Sequence, residues 1–494
     1  MIMLFVGYGL IAIAVAIAAL IVLYWSYGYS LTSKGEVQQK GIVFVGSNPT
    51  GAAMTLNGQK LAATTNERLQ LESGDYSLML SRSGYRSWKH DISVQGGDVQ
   101  RYEYARLIPE KLTATPIQTF DAAPQFASQS PSRRWLLMKD ASTPNTFTLY
   151  DTKNPAKPTM QSVALPAELF TAAEGTQTWK LVEWPSNDQF ALLEHTYVVD
   201  DVAQREYILF NRNAATESRN LTKELSLNQD EDVSLYDKQY DAYYLYNKQS
   251  KILRAVSIDG KALIDQVDHV VAYKTYGTDT LLYVTDLPET GKSVSATVNV
   301  VLRQGSERMI LRRFPSDSPQ FLLDIAQYKN DWFVVVAATN GDGTYIFRDP
   351  FDQQLQGNAL PKPWRFMSAA NPAYIAFSSN AQFIITANKL TGTVYDLDRV
   401  AARRLLLPGA LDEPQTNVRW VDSHRLGYVT NGTLMIADFD SQNPETVQKM
   451  SPKYVPFFST DYQYVFSLQT TDSAAVRLES TPLTVSTPKT GFFN

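Results

Sequence analysis

The chain begins with a long apolar run that no polar residue interrupts. Residues Met3–Trp25 contain no charged residue and no proline. At ~1.5 Å of rise per residue, a helix of this length crosses the ~30 Å hydrocarbon core of a bilayer. Tyr24, Trp25, Tyr27 and Tyr29 lie at its end, and such side chains favour the boundary between lipid and water. The pattern predicts a transmembrane anchor in residues 1–29, with the lipid bilayer as the partner of residues 3–25.

A cleaved signal peptide is the alternative interpretation of this run. Signal peptides carry basic residues before a shorter apolar core and small residues at the cleavage site. No Lys or Arg precedes Met3, and bulky aromatic residues end the run, so a retained signal-anchor is favoured. Lys34 and Lys40 follow the run and, by the positive-inside rule, favour a cytoplasmic location for the rest of the chain. A single anchor before a large cysteine-free β region fits export better, so we expect extracytoplasmic domains at the cell membrane.

Beyond a polar linker at residues 30–40, apolar and polar positions alternate in short segments. Alternation with a period of two predicts strands, and the glycine-rich segments between them predict turns. Asn57-Gly58 is the pair best suited to a two-residue hairpin turn. Residues 41–108 are therefore expected to form a small β-sandwich of six or seven strands.

This segment resembles the PEGA domain. Ser47, Pro49, Gly51 and Ala52 match the stretch that names the family, with Thr50 where the family has Glu. Three further motifs agree in order and spacing: Asn57-Gly58, Gly74 with Tyr76, and Gly84-Tyr85. Thr65-Asn66 replaces the usual Thr-Pro, so that turn departs from the family pattern. The resemblance implies an extracytoplasmic or surface-associated accessory module that carries no catalytic residue.

From residue 113 onward, short strands recur in clusters of three or four. Eight copies begin near residues 125, 178, 233, 267, 319, 373, 416 and 454. A period of about 35–50 residues with four strands per copy is typical of a β-propeller. The copies near 233 and 267 are hard to separate, so the sequence predicts seven or eight blades in residues 113–488, followed by a tail at 489–494. Residues 113–120 could complete the last copy and close the ring, and two stacked sandwiches remain the alternative.

Four turns inside these copies contain a serine at the same place. The turns at Ser130, Ser186, Ser378 and Ser459 resemble the Ser-Pro-Asp-Gly turns of propellers related to the Tol system's periplasmic β-propeller protein. Only Ser130 is followed by proline, and no turn retains the full motif. The resemblance implies a TolB-like or WD40-like propeller.

Composition and charge exclude several classes of protein. The 494 residues include no cysteine, which excludes disulfides, thiolate metal sites and a cysteine nucleophile. The net charge is −5, and the arginine pairs are isolated along the chain. Nucleic-acid binding needs a denser basic patch, so no nucleic-acid partner is expected. The pairs are Arg133-Arg134, Arg312-Arg313 and Arg403-Arg404.

The motifs of common active sites are missing from the sequence. The four histidines, His90, His195, His269 and His424, lie too far apart for a helical metal pair, and the sequence contains neither a nucleophile elbow nor a phosphate-binding loop. No catalytic residue and no cofactor are therefore expected. Two oxygen-rich stretches, Asn228–Asp232 and Asn340–Gly343, lack the ligand spacing of a dedicated calcium loop, so no metal site is expected.

These observations predict a membrane-anchored scaffold of the cell envelope that is not an enzyme. The propeller would be the interaction platform, with an envelope protein, peptidoglycan or surface polysaccharide as its partner. Asp286–Lys292 is long for a hairpin connection and is either a binding loop or a tolerated insertion. The rival is a propeller hydrolase, such as a glycoside hydrolase acting on envelope polysaccharide through paired carboxylates.

Overall fold

The chain folds as two compact units. The first contains Met1–Leu112 and Leu483–Asn494, and the second contains Thr113–Pro482. The computed structural model describes residues 2–26, 29–31, 37–287, 296–353, 359–388, 390–407, 409, 411, 418–471 and 474–485.

The apolar run forms one long helix, α1, at Ile2–Ser26. Its segment Gly7–Tyr24 has a mean hydropathy of 2.4 and none of it is buried by the rest of the protein. Within the described part of the chain, α1 alone is long and apolar enough to cross a membrane. The predicted linker contains two short strands, β1 at Tyr29–Leu31 and β2 at Val37–Gln39, which pair in antiparallel fashion.

The segment that resembles the PEGA domain folds into a sandwich of seven strands. They are β3 Gly41–Asn48, β4 Ala53–Leu56, β5 Gln59–Thr64, β6 Glu67–Leu71, β7 Gly74–Ser81, β8 Trp88–Val94 and β9 Val99–Arg106. One sheet has the order β6-β3-β9, with β3 and β9 parallel, and the other has the order β5-β4-β7-β8. The predicted hairpin turn is confirmed, because Asn57 and Gly58 both have positive φ between β4 and β5.

Alternation along each strand explains why this sandwich forms. In β8, Trp88, Ile92 and Val94 are buried, whereas Lys89 and Asp91 between them are exposed. Each strand thus places every second side chain in a shared apolar core and the others in water. The core includes Val43, Met54, Leu78, Leu80, Trp88 and Tyr102.

The end of the described chain belongs to this first unit. The backbone N–H of Val485 donates a hydrogen bond to the Tyr85 hydroxyl, with a distance of 2.7 Å between nitrogen and oxygen. The second unit therefore ends at Pro482, whereas the repeat pattern places the end of the propeller at residue 488. The difference arises because the last repeat strand ends at Pro482 and the next residues contact Tyr85.

The second unit consists of short strands with few helical turns. Its first strands are β10 Thr115–Phe120, β11 Phe126–Gln129, β12 Trp135–Lys139, β13 Thr146–Asp151, β14 Thr159–Ala164, β15 Thr178–Glu183, β16 Phe190–Val199, β17 Val202–Asn211, β18 Arg219–Asn220, β19 Glu231–Leu235, β20 Ala242–Asn247 and β21 Ile252–Ser257. The next are β22 Val270–Tyr276, β23 Thr280–Thr285, β24 Thr297–Gln304, β25 Glu307–Pro315, β26 Phe321–Tyr328, β27 Asp331–Ala338, β28 Gly343–Arg348 and β29 Arg365–Ser368. The last are β30 Tyr374–Phe377, β31 Phe383–Ala387, β32 Gly392–Asp396, β33 Ala401–Leu405, β34 Arg419–Trp420, β35 Arg425–Thr430, β36 Thr433–Asp438, β37 Glu445–Lys449, β38 Phe457–Phe458, β39 Tyr464–Thr470 and β40 Val476–Pro482. The short helix α2 lies at Leu221–Glu224, and single 3₁₀ turns occupy Ala167–Leu169, Ala215–Glu217, Tyr236–Lys238 and Pro350–Asp352.

These strands form antiparallel sheets that follow one another along the chain. The first seven sheets are β11–β14, β15–β18, β19–β21, β22–β25, β26–β29, β30–β33 and β34–β37, each in chain order. The eighth has the order β10-β40-β39-β38. The copies near residues 233 and 267, which the sequence did not separate, form the third and fourth sheets. Among the described residues the third sheet has three strands and the other seven have four. This succession of small antiparallel sheets is a β-propeller.

The eighth sheet closes the ring with the strand that the sequence proposed. β10 pairs with β40, from Thr115 opposite Ser480 to Phe120 opposite Val476. The Tyr454 hydroxyl also donates a hydrogen bond to the carbonyl of Pro124, at 2.7 Å, next to the first sheet. The prediction that residues 113–120 complete the last copy is confirmed. Pairing both ends of the unit in one sheet protects an edge that would otherwise be free.

The serine turns of the sequence pattern are structural. Ser130, Ser378 and Ser459 are buried, and their hydroxyls accept the N–H groups of Trp135, Phe383 and Tyr464 at 3.3, 3.0 and 2.9 Å. Each hydroxyl thereby satisfies a backbone donor where the second strand of its sheet begins. Ser186 differs, because its own N–H donates to the carbonyl of Lys238.

The turns that join the first and second strands meet on one side of the ring. Thr460 of the eighth sheet donates to the carbonyl of Ser132 in the first, and the N–H of Ser132 donates to Asp188 in the second. We call this side the terminal face, because β40 ends and β10 begins there. The turns that join the second and third strands form the opposite face.

Candidate functional site

A cavity lies among the inner strands of three consecutive sheets. The first strands of neighbouring sheets contact each other, as β11 does with β15, β15 with β19, β22 with β26 and β26 with β30, so these strands lie toward the centre of the ring. Strands β22, β26 and β30 enclose a volume of about 210 Å³. We call this the inner-strand cavity. It is lined by Ala272, Tyr273, Phe321, Leu322, Leu323, Ala373, Tyr374 and Ile375.

The strand order explains the position of this cavity. Phe321 and Tyr374 are the first residues of β26 and β30, and Ala272 lies near the beginning of β22. Inner strands begin at the opposite face and end at the terminal face. The cavity therefore lies toward the opposite face, where no terminus of this unit is located.

Two tyrosines supply the polar side-chain groups of the lining. The Tyr273 hydroxyl lies 3.1 Å from Ser234 Oγ, and burial raises the pKa of Tyr273 to about 12. Burial also raises the pKa of Tyr374, although the nearby Arg419 opposes the shift. Both phenols are protonated at neutral pH, and the Tyr273 hydroxyl has Ser234 of the third sheet as its partner.

The carboxylate of Asp324 lies on the same strand as Leu322 and Leu323 and is already engaged. Its Oδ2 accepts the N–H of Phe377 at 3.0 Å, and its Oδ1 lies 3.2 Å from Lys274 Nζ. Asp324 thus connects the fourth, fifth and sixth sheets. Because both oxygens have partners, this carboxylate acts first as a structural bridge.

Similar bridges join other neighbouring sheets. Side-chain oxygens of Gln125 and Glu183 accept the N–H groups of Trp179 and Leu235 in the next sheet, at 2.7 and 2.9 Å. The Gln129 amide donates to the carbonyl of Phe458 at 2.9 Å. These bonds occupy backbone groups on the free edges of inner strands. They tie neighbouring sheets together around the ring.

The structure distributes the four histidines over separate places. His90 is buried in the sandwich beside Trp88, with 5.4 Å between ring centroids. His195 is buried in the second sheet, and His269 is exposed before the fourth. Burial and the neighbouring Arg425 lower the pKa of His424 to about 4. None of these histidines lines the inner-strand cavity.

His195 belongs to a buried polar network that the sequence did not reveal. Its Nδ1 lies 2.9 Å from Glu206 Oε1, and its Nε2 lies 3.0 Å from the side-chain oxygen of Gln177. Glu206 also accepts hydrogen bonds from the N–H of Thr171 at 2.6 Å and from Asn220 at 2.8 Å. Burial alone would raise the pKa of Glu206, but these hydrogen bonds hold it below its usual value.

The oxygen-rich stretch Asn228–Asp232 places its carboxylates against basic side chains. Glu231 lies 2.6 Å from Arg254, and Asp232 contacts Arg205 and Lys248 at 2.5 and 2.8 Å. In Asn340–Gly343, the Asp342 side chain accepts a hydrogen bond from the Tyr345 hydroxyl. Across the described ranges, no three His, Asp or Glu side chains are grouped so that they could hold a metal ion.

The predicted binding loop Asp286–Lys292 falls mostly outside the described residues. Asp286 forms an ion pair with Lys251 and lies 3.3 Å from His269 Nδ1. Leu287 is exposed. The other five residues of the loop are not described.

Lys139 is a second polar residue that the sequence analysis missed. It is fully buried at the end of β12, where it donates hydrogen bonds to the carbonyls of Asp140 and Thr143. Burial lowers its pKa to about 8, against an opposing effect of Asp140. Because Lys139 closes the turn that follows its own strand, the structure gives it a local architectural role.

Comparison with known proteins identifies the sandwich. A family model described as the PEGA domain matches residues 40–106. The sandwich is a PEGA domain. The match confirms the resemblance read from Ser47, Pro49 and the turn glycines. No curated protein matches the chain.

Several solved structures are similar to this chain at low identity. Hsv2 of Kluyveromyces lactis is 9% identical, with 68% of this chain and 99% of that one covered and a TM-score of 0.38. Hsv2 described from Kluyvelomyces marxianus is 9% identical, with 73% and 99% covered and a TM-score of 0.39. Dihydro-heme d1 dehydrogenase NirN, solved in complex with DHE, is 11% identical, with 67% of each chain covered and a TM-score of 0.38. Similarity at this level carries no statement about function.

Proposed function

We propose that this chain is a membrane-anchored, non-catalytic binding protein of the cell envelope. Its propeller would be the interaction platform, and its PEGA domain an accessory module between platform and membrane helix. The observation that carries the proposal is the inner-strand cavity, which is lined by aliphatic and aromatic residues. Such cavities hold apolar groups of a partner, while a few polar groups fix their orientation. The expected partner is an envelope protein or a cell-wall polysaccharide, and not a nucleic acid.

The chemistry of the described side chains supports binding over catalysis. Asp324 has both oxygens engaged, and the pKa of His424 near 4 keeps that ring neutral at physiological pH. Proton transfer needs a group whose pKa lies near the working pH and that can reach a substrate. The buried His195 satisfies both ring nitrogens within the protein. The side chains of Asp324 and His195 thus serve hydrogen bonds within the protein, which favours a binding function over a catalytic one.

A glycoside hydrolase is the rival, and a direct assay separates the two functions. Such an enzyme needs two carboxyl groups about 5–10 Å apart beside its substrate. We expect the purified full-length chain in detergent to release no reducing ends from isolated envelope polysaccharide beyond a heat-denatured sample. Release that disappears in Asp324→Asn, in a variant with unchanged circular dichroism, would instead support the hydrolase.

We further propose that the eight sheets are eight blades of a TolB-like or WD40-like propeller. The support is the repeated serine turn, in which Ser130, Ser378 and Ser459 accept backbone N–H groups at equivalent places. Burial of these serines explains why the serine persists while the proline and glycine of the motif do not.

The anchor proposal predicts where the domains lie. Deleting residues 1–30 should yield a soluble, folded protein, because α1 supplies the membrane-length apolar surface. A truncated chain that stays in carbonate-washed membranes would contradict the anchor itself.

The orientation is tested separately by protease added to intact cells or spheroplasts, which should digest the full-length chain after residue 40. Digestion only after lysis would place the domains in the cytoplasm, as Lys34 and Lys40 suggest.

A further inference from the structure

The second sheet carries a hairpin that extends beyond its neighbours. β16 and β17 pair along their whole length, from Phe190 opposite Asn211 to Val199 opposite Val202. The pairing of β15 with β16 reaches only Thr196. The residues beyond it form a two-stranded ribbon at the opposite face. Asp200 and Asp201, with φ of 49° and 62°, form its turn.

One side of this ribbon carries an apolar stripe next to Gln204, which pairs with Tyr197. Residues opposite each other across a strand pair share a side, so His195, Tyr197, Val199 and Val202 lie on one side of the hairpin. The His195 ring stacks between those of Trp179 and Tyr197, at centroid distances of 4.2 and 5.3 Å. We call Tyr197, Val199 and Val202 the hairpin stripe. Val199 and Val202 are 44% and 55% exposed, although valine normally favours the interior.

The buried network beneath the stripe holds the hairpin in place. His195 and Glu206 face each other across the two strands and are buried, and Thr171 and Gln177 bind them from the connection before β15. A ribbon fixed at its base loses little conformational freedom when a partner binds. The network thus gives the stripe the preorganisation of a docking element.

The acidic residues near the hairpin stripe indicate which kind of partner it can bind. The turn of the hairpin carries Asp200 and Asp201 side by side, and Glu174 is exposed on the connection that carries Thr171 and Gln177. Two adjacent carboxylates repel the same tip of a second copy, and they also repel anionic lipid headgroups. They attract a surface on which basic residues flank apolar ones.

We propose that the hairpin stripe docks a basic, apolar segment of another envelope protein. This inference rests on the proposed binding function and names the partner class for one part of the platform. Val199 and Val202 would contact the apolar residues of that segment, and Asp200 and Asp201 its basic side chains.

Photo-cross-linking in the membranes of cells that express the full chain tests this inference. A photoreactive amino acid replaces Val199 in one variant and Val198 in the other. Val198 is the matched control, because it is 40% exposed at the same height but on the other side of the hairpin. We expect about tenfold more adduct from position 199, to a peptide of net positive charge. Asp200→Asn with Asp201→Asn, which suits the left-handed turn, should weaken that adduct and leave the fold unchanged.

Several results would overturn the inference. These are equal yields at positions 198 and 199, no adduct at either, or an adduct to lipid, to a second copy or to an acidic peptide. A photoreactive group at Tyr374 reports separately on the inner-strand cavity. An adduct there, with none at position 199, would remove the hairpin proposal and leave the proposed function standing.

Discussion

Replacing Glu206 with leucine should lower the free energy of unfolding of the propeller by about 3–5 kcal/mol, because several buried hydrogen-bond donors lose the carboxylate that they share. The substitution leaves His195 without its carboxylate, and it leaves the donors of Thr171 and Asn220 without an acceptor. A buried donor without a partner costs about 1–3 kcal/mol on its own. Urea titration followed by tryptophan fluorescence measures the change, because Trp179 stacks on His195.

Two companion variants and a pH series make this test specific. Glu206→Leu combined with His195→Phe should be less destabilised than Glu206→Leu alone, because apolar side chains then replace both partners. Glu168→Leu, at an exposed position before the same connection, should change stability by less than about 0.5 kcal/mol. The pKa of Glu206 is depressed in the folded state, so its contribution is full above the unfolded pKa and is lost as the pH falls through the folded pKa. The gap between wild type and Glu206→Leu should therefore shrink in acid, and a gap that stays constant would contradict an ionised Glu206 carboxylate.

Short sequence patterns predicted the strands and turns, because neighbouring residues determine these parts of the fold. The Asn57-Gly58 turn follows from its turn residues, and alternation predicted six or seven strands for the PEGA domain and seven or eight copies of the later repeat. The closing strand β10 was also predicted, because the last copy was short of one strand. In each case a short stretch of sequence carries the information.

The site depends on contacts between residues that are distant in sequence. Tyr273, Leu322 and Tyr374 come from three separate sheets, and no pattern in the sequence places them around one cavity. His195 and Glu206 face each other through a turn of two aspartates, which is a weaker hairpin signal than Asn-Gly. Sequence reasoning treated His195 as an isolated residue for this reason.

The burial of the histidines also changes how catalysis should be tested. Replacing His195, His269 and His424 together would disturb the buried network around His195 as well as any proton transfer. His269 is exposed, with 48% of its side chain accessible, so His269→Asn alone is a cleaner variant. Loss of function in that variant, with the fold intact, would favour an enzyme.

Ala373→Trp should weaken binding at the inner-strand cavity at least about tenfold while leaving the propeller folded. Ala373 is exposed and directly precedes β30, so an indole at this position can fill the cavity from its open side. A filled cavity cannot accept the anchoring group of a partner, and losing such a group typically costs about 2 kcal/mol or more. Ala172→Trp, on an exposed connection away from the lining, adds the same side chain as a control.

The most direct measurement is photo-cross-linking from position 374 in the full-length chain in its own membranes. The binding account predicts a discrete adduct with an envelope protein or polysaccharide. Ala373→Trp should reduce its yield by about tenfold, the loss that 1.4 kcal/mol of binding free energy produces, whereas Ala172→Trp and His269→Asn should leave it unchanged. No adduct at position 374, or an adduct whose yield Ala373→Trp does not change, would contradict the claim that the propeller binds its partner through this cavity.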